Sequence, residues 1–232
     1  MGHTCACAAS AGVTKLKGPA KWHYYYLYVI LDVFSRYTVG WLLAEQESAT
    51  LAQTLIAETC AKQQIARDEL TLHADRGGPM KAKTVGQLLI DLGVTESHSR
   101  PHVPDDNPFS EAQFKTLKYQ PDFPGRFGSF QAALVWARRF FAWYNHHFYH
   151  TSLGLLTPAS VHYGQAGSVL DQRQQVLQAA YDAHPDRFVN GQPQQPILPT
   201  EVWINQPQAV LLYPGGRLPV DTKSVSELSH IP

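Results

Sequence analysis

Tyr24-Tyr-Tyr-Leu-Tyr-Val-Ile-Leu31, then Asp32-Val-Phe-Ser-Arg36, then Tyr37-Thr-Val-Gly-Trp-Leu-Leu43, is the stretch whose reading decides the fold. The first run is aromatic and β-branched, of strand length, and bounded by Asp32, so it reads as a buried strand. A polar turn follows, and the run from Tyr37 returns as the next strand. Upstream, Val13-Thr-Lys-Leu-Lys-Gly-Pro-Ala-Lys reads as a short strand leaving through a Gly-Pro turn, so the segment up to Leu43 forms an antiparallel meander.

Beyond the meander the pattern alternates. Ser48 is a helix N-cap for Ala49 to Gln63, with Leu51, Leu55, Ile56 and Thr59 on one face. Leu70 to Ala74 is a short strand stopped by Asp75-Arg-Gly-Gly-Pro79; Lys81 to Leu92 is a helix ended by Gly93; Val94 to His98 is a strand. A loop from Arg100 to Pro108 leads into a helix from Phe109 to about Lys118, and Ser129 caps an amphipathic helix from Phe130 to about His147. Thr157-Pro158 has the form of an N-cap with proline at the first helical position, and Ser168 to Ala183 reads as a further helix. From Gln192 onward the chain is Pro-rich and reads as an extended tail. The order predicts an α/β fold, a mixed sheet flanked by helices compatible with a ribonuclease-H-like architecture, with a helical and Pro-rich C-terminal extension.

With 232 residues, 44% of them apolar, the chain can bury a substantial core. It has no run of 18 apolar residues, and its first ten residues lack the basic and apolar regions of a signal peptide, so a soluble, cytoplasmic protein is expected, with no membrane partner. Three cysteines, Cys5, Cys7 and Cys60, make no disulfide framework and read as reduced thiols. The formal net charge is zero, which argues against a protein that coats nucleic acid by charge alone. The middle third is nonetheless basic: residues 76–150 carry 9 Lys and Arg against 6 Asp and Glu.

Asp75 stands at the end of an apolar strand and before two glycines, where the backbone admits a close ligand. Glu111 begins a helix 35 intervening residues later, enough for a helix, a strand and a loop to bring the two carboxylates back together. Two carboxylates held close repel, and a hard divalent cation such as Mg²⁺ resolves the repulsion, a combination suited to phosphoryl transfer. Lys115 and Lys118 follow Glu111 by four and seven and share its helical face, where they suit phosphate contacts; Arg76, His98, Arg100 and His102 flank the same edge. His146 and His150 have a metal-ligand spacing but no third ligand in view, and read as packing or surface.

Several ordered motifs carry a family resemblance. His73-Ala-Asp-Arg-Gly-Gly78, Asp106-Asn-Pro-Phe-Ser-Glu-Ala-Gln-Phe-Lys-Thr-Leu-Lys118, Trp143-Tyr-Asn-His and His150-Thr-Ser-Leu-Gly-Leu-Leu-Thr-Pro158 resemble the integrase core of DDE insertion-sequence transposases, as does Leu31-Asp-Val-Phe-Ser-Arg-Tyr-Thr-Val-Gly-Trp41. The resemblance runs from about Val13 to His162. It implies an atypical segment over 1–12, a catalytic core over 13–163, and a helix and Pro-rich tail over 164–232. It implies Asp75 and Glu111 as catalytic metal ligands for Mg²⁺ or Mn²⁺, Lys115, Lys118, Arg76 and Arg100 as DNA contacts, transposon-end and target DNA as partners, and multimers of the chain. The family's first catalytic aspartate aligns with Gly12, so impaired activity is expected, through truncation or a frameshift scar upstream; the rival expectation is a catalytically silent DNA-binding or oligomerising remnant. Asp32, in the family's strand-turn pattern, reads as a turn residue bonding its own backbone.

Overall fold

The computed structural model describes residues 7–75, 77–100, 106–199, 201–202 and 204. Five strands, β1 (Cys7–Lys17), β2 (Tyr24–Asp32), β3 (Thr38–Ala44), β4 (Leu70–Ala74) and β5 (Thr95–His98), form one sheet in the order β3-β2-β1-β4-β5. β1–β2 and β2–β3 are antiparallel; β1–β4 and β4–β5 are parallel. The predicted mixed sheet is therefore the observed one, with α1 (Ala49–Gln63), α2 (Lys83–Leu92), α3 (Pro108–Lys118) and α4 (Phe130–His146) against it, and α5 (Pro158–His162) and α6 (Ala166–Ala183) after it.

β1 lies at the centre of the sheet and starts at Cys7, upstream of the expected Val13. Side chains alternate across a strand, and β1 divides accordingly. Ala9 and Ala11 join the core beneath α1 and α2 with Ile30, Ile56, Leu72 and Leu89. Leu16 joins the opposite core beneath α3 and α4 with Leu27, Leu117, Phe140 and Phe141. Fully buried side chains such as Leu27, Leu31 and Ile56 each contribute roughly 1.5–3 kcal/mol of hydrophobic stabilisation relative to exposure.

The helix ends follow from the expected caps. Ser48 accepts from the Thr50 N–H, Ser129 from Ala132 and Thr157 from Ser160, while Gly93 closes α2 in the left-handed conformation at φ 67°. Asp32 behaves as the turn residue expected, accepting the Phe34 N–H at 3.1 Å. It also bonds Ser35 and, at 3.2 Å, His162 Nδ1, whose ring stacks on Tyr37 at 4.4 Å and ties α5 to the β2–β3 turn. His146 lies edge-on to Tyr37, and His150, past the end of α4, bonds Ser152, so the pair packs as read from the sequence. In α6 only Ala166 is buried. Among the described residues no helix is long and apolar enough to cross a membrane; most of the Pro-rich tail, and Cys5, lie outside the described residues.

Candidate active site

β4 ends at Ala74, which pairs with Ala11 of β1. One residue further, the parallel register sets Asp75 beside Gly12. From there β1 continues to Lys17 without β4, so the sheet has a step at this point, with Asp75 half-buried on its lip. The space around the chain after Asp75 is open: a Cβ added at Gly77 or Gly78 would meet nothing within 4 Å.

α3 crosses the same face. A Cβ at Gly12 would lie 3.0 Å from Phe114 Cε2 and 3.2 Å from Ser110 Cβ, so position 12 looks directly at the helix that carries Glu111. Asn107, the N-cap residue of α3, makes no side-chain cap bond. Its amide turns into the sheet instead: Nδ2 donates to Asp75 Oδ1 at 2.8 Å and to the Ala11 carbonyl at 3.4 Å, and Oδ1 accepts from Ser10 Oγ at 2.5 Å. Ser10 Oγ also lies 2.5 Å from Ser110 Oγ. Ser10, Asn107 and Ser110 are all buried, so this network fixes α3 to β1 and aims the Asp75 carboxylate.

Ser99 Oγ approaches the same Asp75 oxygen at 3.5 Å, and the buried His73 ring sits between Ser97 (3.0 Å) and Ser99 (3.4 Å). Burial holds the His73 imidazole below its ordinary pKa, against the opposing pull of Asp106 and Asp75, so at neutral pH the ring is uncharged. Glu111 lies one turn along α3 from Asn107, to whose carbonyl its N–H donates at 3.2 Å. Its side chain is exposed in the first turn, where the helix dipole favours an acid. Lys115 and Lys118 continue the exposed face in the last turn.

The remaining sequence-predicted residues are placed differently. Arg100 forms a two-toothed pair with buried Asp106, Nε to Oδ2 at 2.9 Å and Nη2 to Oδ1 at 2.8 Å, and its backbone N–H donates to the same carboxylate at 2.6 Å. It thereby clamps the two ends of the 101–105 segment. His98 pairs with Glu96 at 2.7 Å. Arg76 and His102 lie outside the described residues. Asp32 pairs with Ala9 across β1–β2 and so projects to the α1 face, away from Gly12 and Asp75. Sequence reasoning missed Ser10 and Asn107; the available signal was an Asn directly before a helix-starting proline.

Residues 10–104 match a family model described as Integrase core domain, and residues 92–158 match a second one described in the same words. The chain belongs to the integrase-core family. A curated relative, the transposase for insertion sequence element IS904 of Lactococcus lactis subsp. lactis (strain IL1403), is 33% identical over 100 residues. That match covers 43% of this chain and 39% of the relative, so the chain spans about two fifths of the length of the relative it matches. Among solved structures, the HTLV-2 integrase catalytic core domain in complex with magnesium (trimeric form) superposes with a TM-score of 0.51 at 14% identity, covering 70% of this chain and 99% of that one. A pre-cleavage Mos1 transpososome gives 0.47 at 13% identity, over 58% of this chain and 48% of that one. At such identity the HTLV-2 likeness establishes the shared fold.

The donor chemistry of this integrase core sets what it can hold. Asp75 and Glu111 are hard oxygen donors on facing elements, suited to a divalent cation that keeps water or phosphate oxygens in its remaining positions. Gly12 adds no donor, and among the described residues no group of three His, Cys, Asp or Glu comes together. By donor chemistry these two carboxylates suit one such ion, and the described residues offer no third carboxylate to bridge a pair.

Proposed function

We propose that this integrase core is the strand-cleaving and strand-joining domain of an insertion-sequence transposase, acting on DNA, with its activity impaired by glycine at position 12. The observation that carries the reading is the juxtaposition of Gly12, Asp75 and the first turns of α3 on one sheet face. In this reading Asp75 and Glu111 hold Mg²⁺ or Mn²⁺, a cation that would polarise the scissile phosphate and activate the attacking hydroxyl. Asn107 and Ser99 orient the Asp75 carboxylate by donating to Oδ1. Lys115 and Lys118, on the exposed face running from Glu111, take phosphates of the DNA strand, with Arg76 and Arg100 as further phosphate contacts in this reading. Transposon ends and target DNA are the partners, multimers of the chain bring two ends together, and the protein works in the cytoplasm.

A second reading is favoured by one observation, the missing donor at position 12: the chain binds DNA without cutting it. Nicking and joining of a labelled duplex with Mg²⁺ or Mn²⁺ separates the two. Gly12→Asp is expected to exceed the unaltered chain by at least about a hundredfold, the scale of a lost charge-stabilising ligand, and Glu111→Gln is expected to abolish the gain. Equal activity of the unaltered chain, Gly12→Asp and Glu111→Gln would refute the site. Metal-free DNA binding with no cutting by any variant would favour the silent form.

A further inference from the structure

The β1–β2 hairpin is an element that the site does not use. Between Cys7 and Leu31 the sequence has no Asp or Glu, and it carries Lys15, Lys17 and Lys21 interleaved with Trp22, His23, Tyr24 and Tyr26. One face of the hairpin is covered: Leu16, Tyr25 and Leu27 lie in the core beneath α4. The other face presents the exposed Lys15 and Lys17 and the half-buried Tyr24 and Tyr26, which pair across the strands as Lys15↔Tyr26 and Lys17↔Tyr24. Lys15 Nζ sits 5.5 Å from the Tyr26 ring and 6.0 Å from the Tyr24 ring.

The tip is held rigid. Gly18 N–H donates to the His23 carbonyl at 2.9 Å, Phe127 N–H to the Lys17 carbonyl at 2.8 Å, and Arg126 Nη1 to the Gly18 and Ala20 carbonyls, each at 2.7 Å. Trp22 stands at this braced tip, 76% exposed, with Lys21 Nζ 5.4 Å from its ring and a left-handed φ of 66°. That backbone conformation is strained for a bulky residue, and a large apolar ring held out in water by it gains nothing for the fold.

We propose that this hairpin is an arm that holds DNA outside the cutting position, on the sheet face opposite Gly12, its lysines on phosphates and Trp22 at the tip stacked on an unpaired base. The inference rests on the transposase reading above and adds a subsite to it. Charge complementarity decides the occupant: a surface with lysines and no acids over that whole stretch suits a polyanion, and exposed aromatic rings between cations suit bases. The spacing agrees. Lys15 and Lys17 are two strand residues apart, about 6.6 Å, close to the rise of two base steps at about 3.4 Å each. Lys15 and Lys17 share the parity of Ala9 and Ala11 and face away from Gly12, so DNA held by the arm runs beyond the cutting position and around the tip of the sheet.

The test is metal-free. Fluorescence anisotropy in EDTA measures binding of a labelled duplex, blunt or with a short unpaired flank, to the full chain, to Trp22→Ala and Trp22→Phe, and to the triple variant Lys15→Gln/Lys17→Gln/Lys21→Gln. All altered side chains are exposed, so melting temperatures should match the parent. Expected are about a tenfold loss for Trp22→Ala on the flanked duplex, little loss on the blunt one, and recovery in Trp22→Phe. The triple variant should reduce the slope of log affinity against log salt by about 0.9 per lysine. Tight binding by the parent with no effect of either variant overturns the arm while leaving the transposase reading standing. Failure of the parent to bind DNA removes that reading and the arm with it. Variants that shift the oligomeric state and not DNA affinity assign the face to a second copy of the chain and overturn the proposal.

Discussion

Gly12→Asp tests the site without relying on catalysis. Gly12 has no left-handed φ, so a side chain brings no backbone strain, and its Cβ would press on the Phe114 ring at 3.0 Å and on Ser110 Cβ at 3.2 Å. Crowding of this kind costs about 1 kcal/mol where a half-buried ring can shift, and loss of glycine's freedom in the unfolded chain returns about 0.4–1 kcal/mol. These two nearly cancel, and the charge term decides. Carboxylates on adjacent strands, with backbones about 4.8 Å apart, repel by roughly 3 kcal/mol at an effective permittivity of 20. The half-exposure of Asp75 lets solvent screen this to about 1–2 kcal/mol.

In EDTA, Gly12→Asp is therefore expected to melt about 2–8 °C below the unaltered chain, at about 2–4 °C per kcal/mol for a domain of this size. An ion held by three carboxylates reverses the sign. Mn²⁺ at a hundred times its dissociation constant stabilises by about 2.7 kcal/mol, which lifts the variant to or above the parent. The parent, with two donors, should shift far less at the same Mn²⁺ concentration. Differential scanning fluorimetry with and without Mn²⁺ reads both effects. A Gly12→Asp melting temperature that is unchanged in EDTA and indifferent to Mn²⁺ would refute the placement of position 12 beside Asp75.

Two further perturbations test the supports of the site and of the fold. Asn107→Ala removes a buried amide that bonds Asp75, Ser10 and the Ala11 carbonyl; a loss of about 2–4 kcal/mol is expected in urea unfolding, against near-neutrality if the amide were solvated. Asp32 is predicted to govern acid stability: burial pushes its carboxyl up, but bonds from His162, Ser35 and the Phe34 N–H outweigh that and hold it below the ordinary value. Its stabilisation is therefore full above the unfolded pKa near 4 and is lost as pH falls through the lower folded value. Asp32→Asn should lower the melting temperature at pH 7 and flatten its fall below about pH 4; an unchanged acid limb would show that the His162 contact contributes nothing.

The parts of this fold that were legible in the sequence are those with a local physical signature. α1 begins at Ala49 because Ser48 caps it, and β4 stops at Ala74 because Asp75-Arg-Gly-Gly cannot continue it. β1 was legible only from Val13. Its earlier residues, Ala8 to Gly12, are small and carry no strand preference; Ser10 and Gly12 face α3, which lies almost on top of them, with Ser110 Oγ 2.5 Å from Ser10 Oγ. That requirement comes from a helix a hundred residues away and leaves no local trace. The same holds for Arg100. Its charge was legible, but not its pairing with buried Asp106 across the 101–105 segment.

Whether any other acid supplies the missing donor is decided by strand parity. β1 is buried on both faces, so a slip of one residue would drive Ala9 and Ala11 out of one core and Leu16 out of the other. With the register fixed in this way, Asp32, opposite Ala9, stays on the α1 face however its side chain rotates. Asp106 is on the site's side, but it is buried and bound by Arg100 through both carboxylate oxygens; freeing it would strand a buried charge, at a cost of about 3–5 kcal/mol. Among the described residues, then, neither Asp32 nor Asp106 is placed to give Asp75 a further carboxylate. The network around position 12 does not depend on a carboxylate there: Ser10, Asn107 and Ser110 remain bonded, and a neutral amide holds Asp75 where a shared cation would otherwise offset the repulsion between acids. The fold thus accommodates glycine at position 12, and under the transposase proposal the consequence falls on metal binding and chemistry and not on stability.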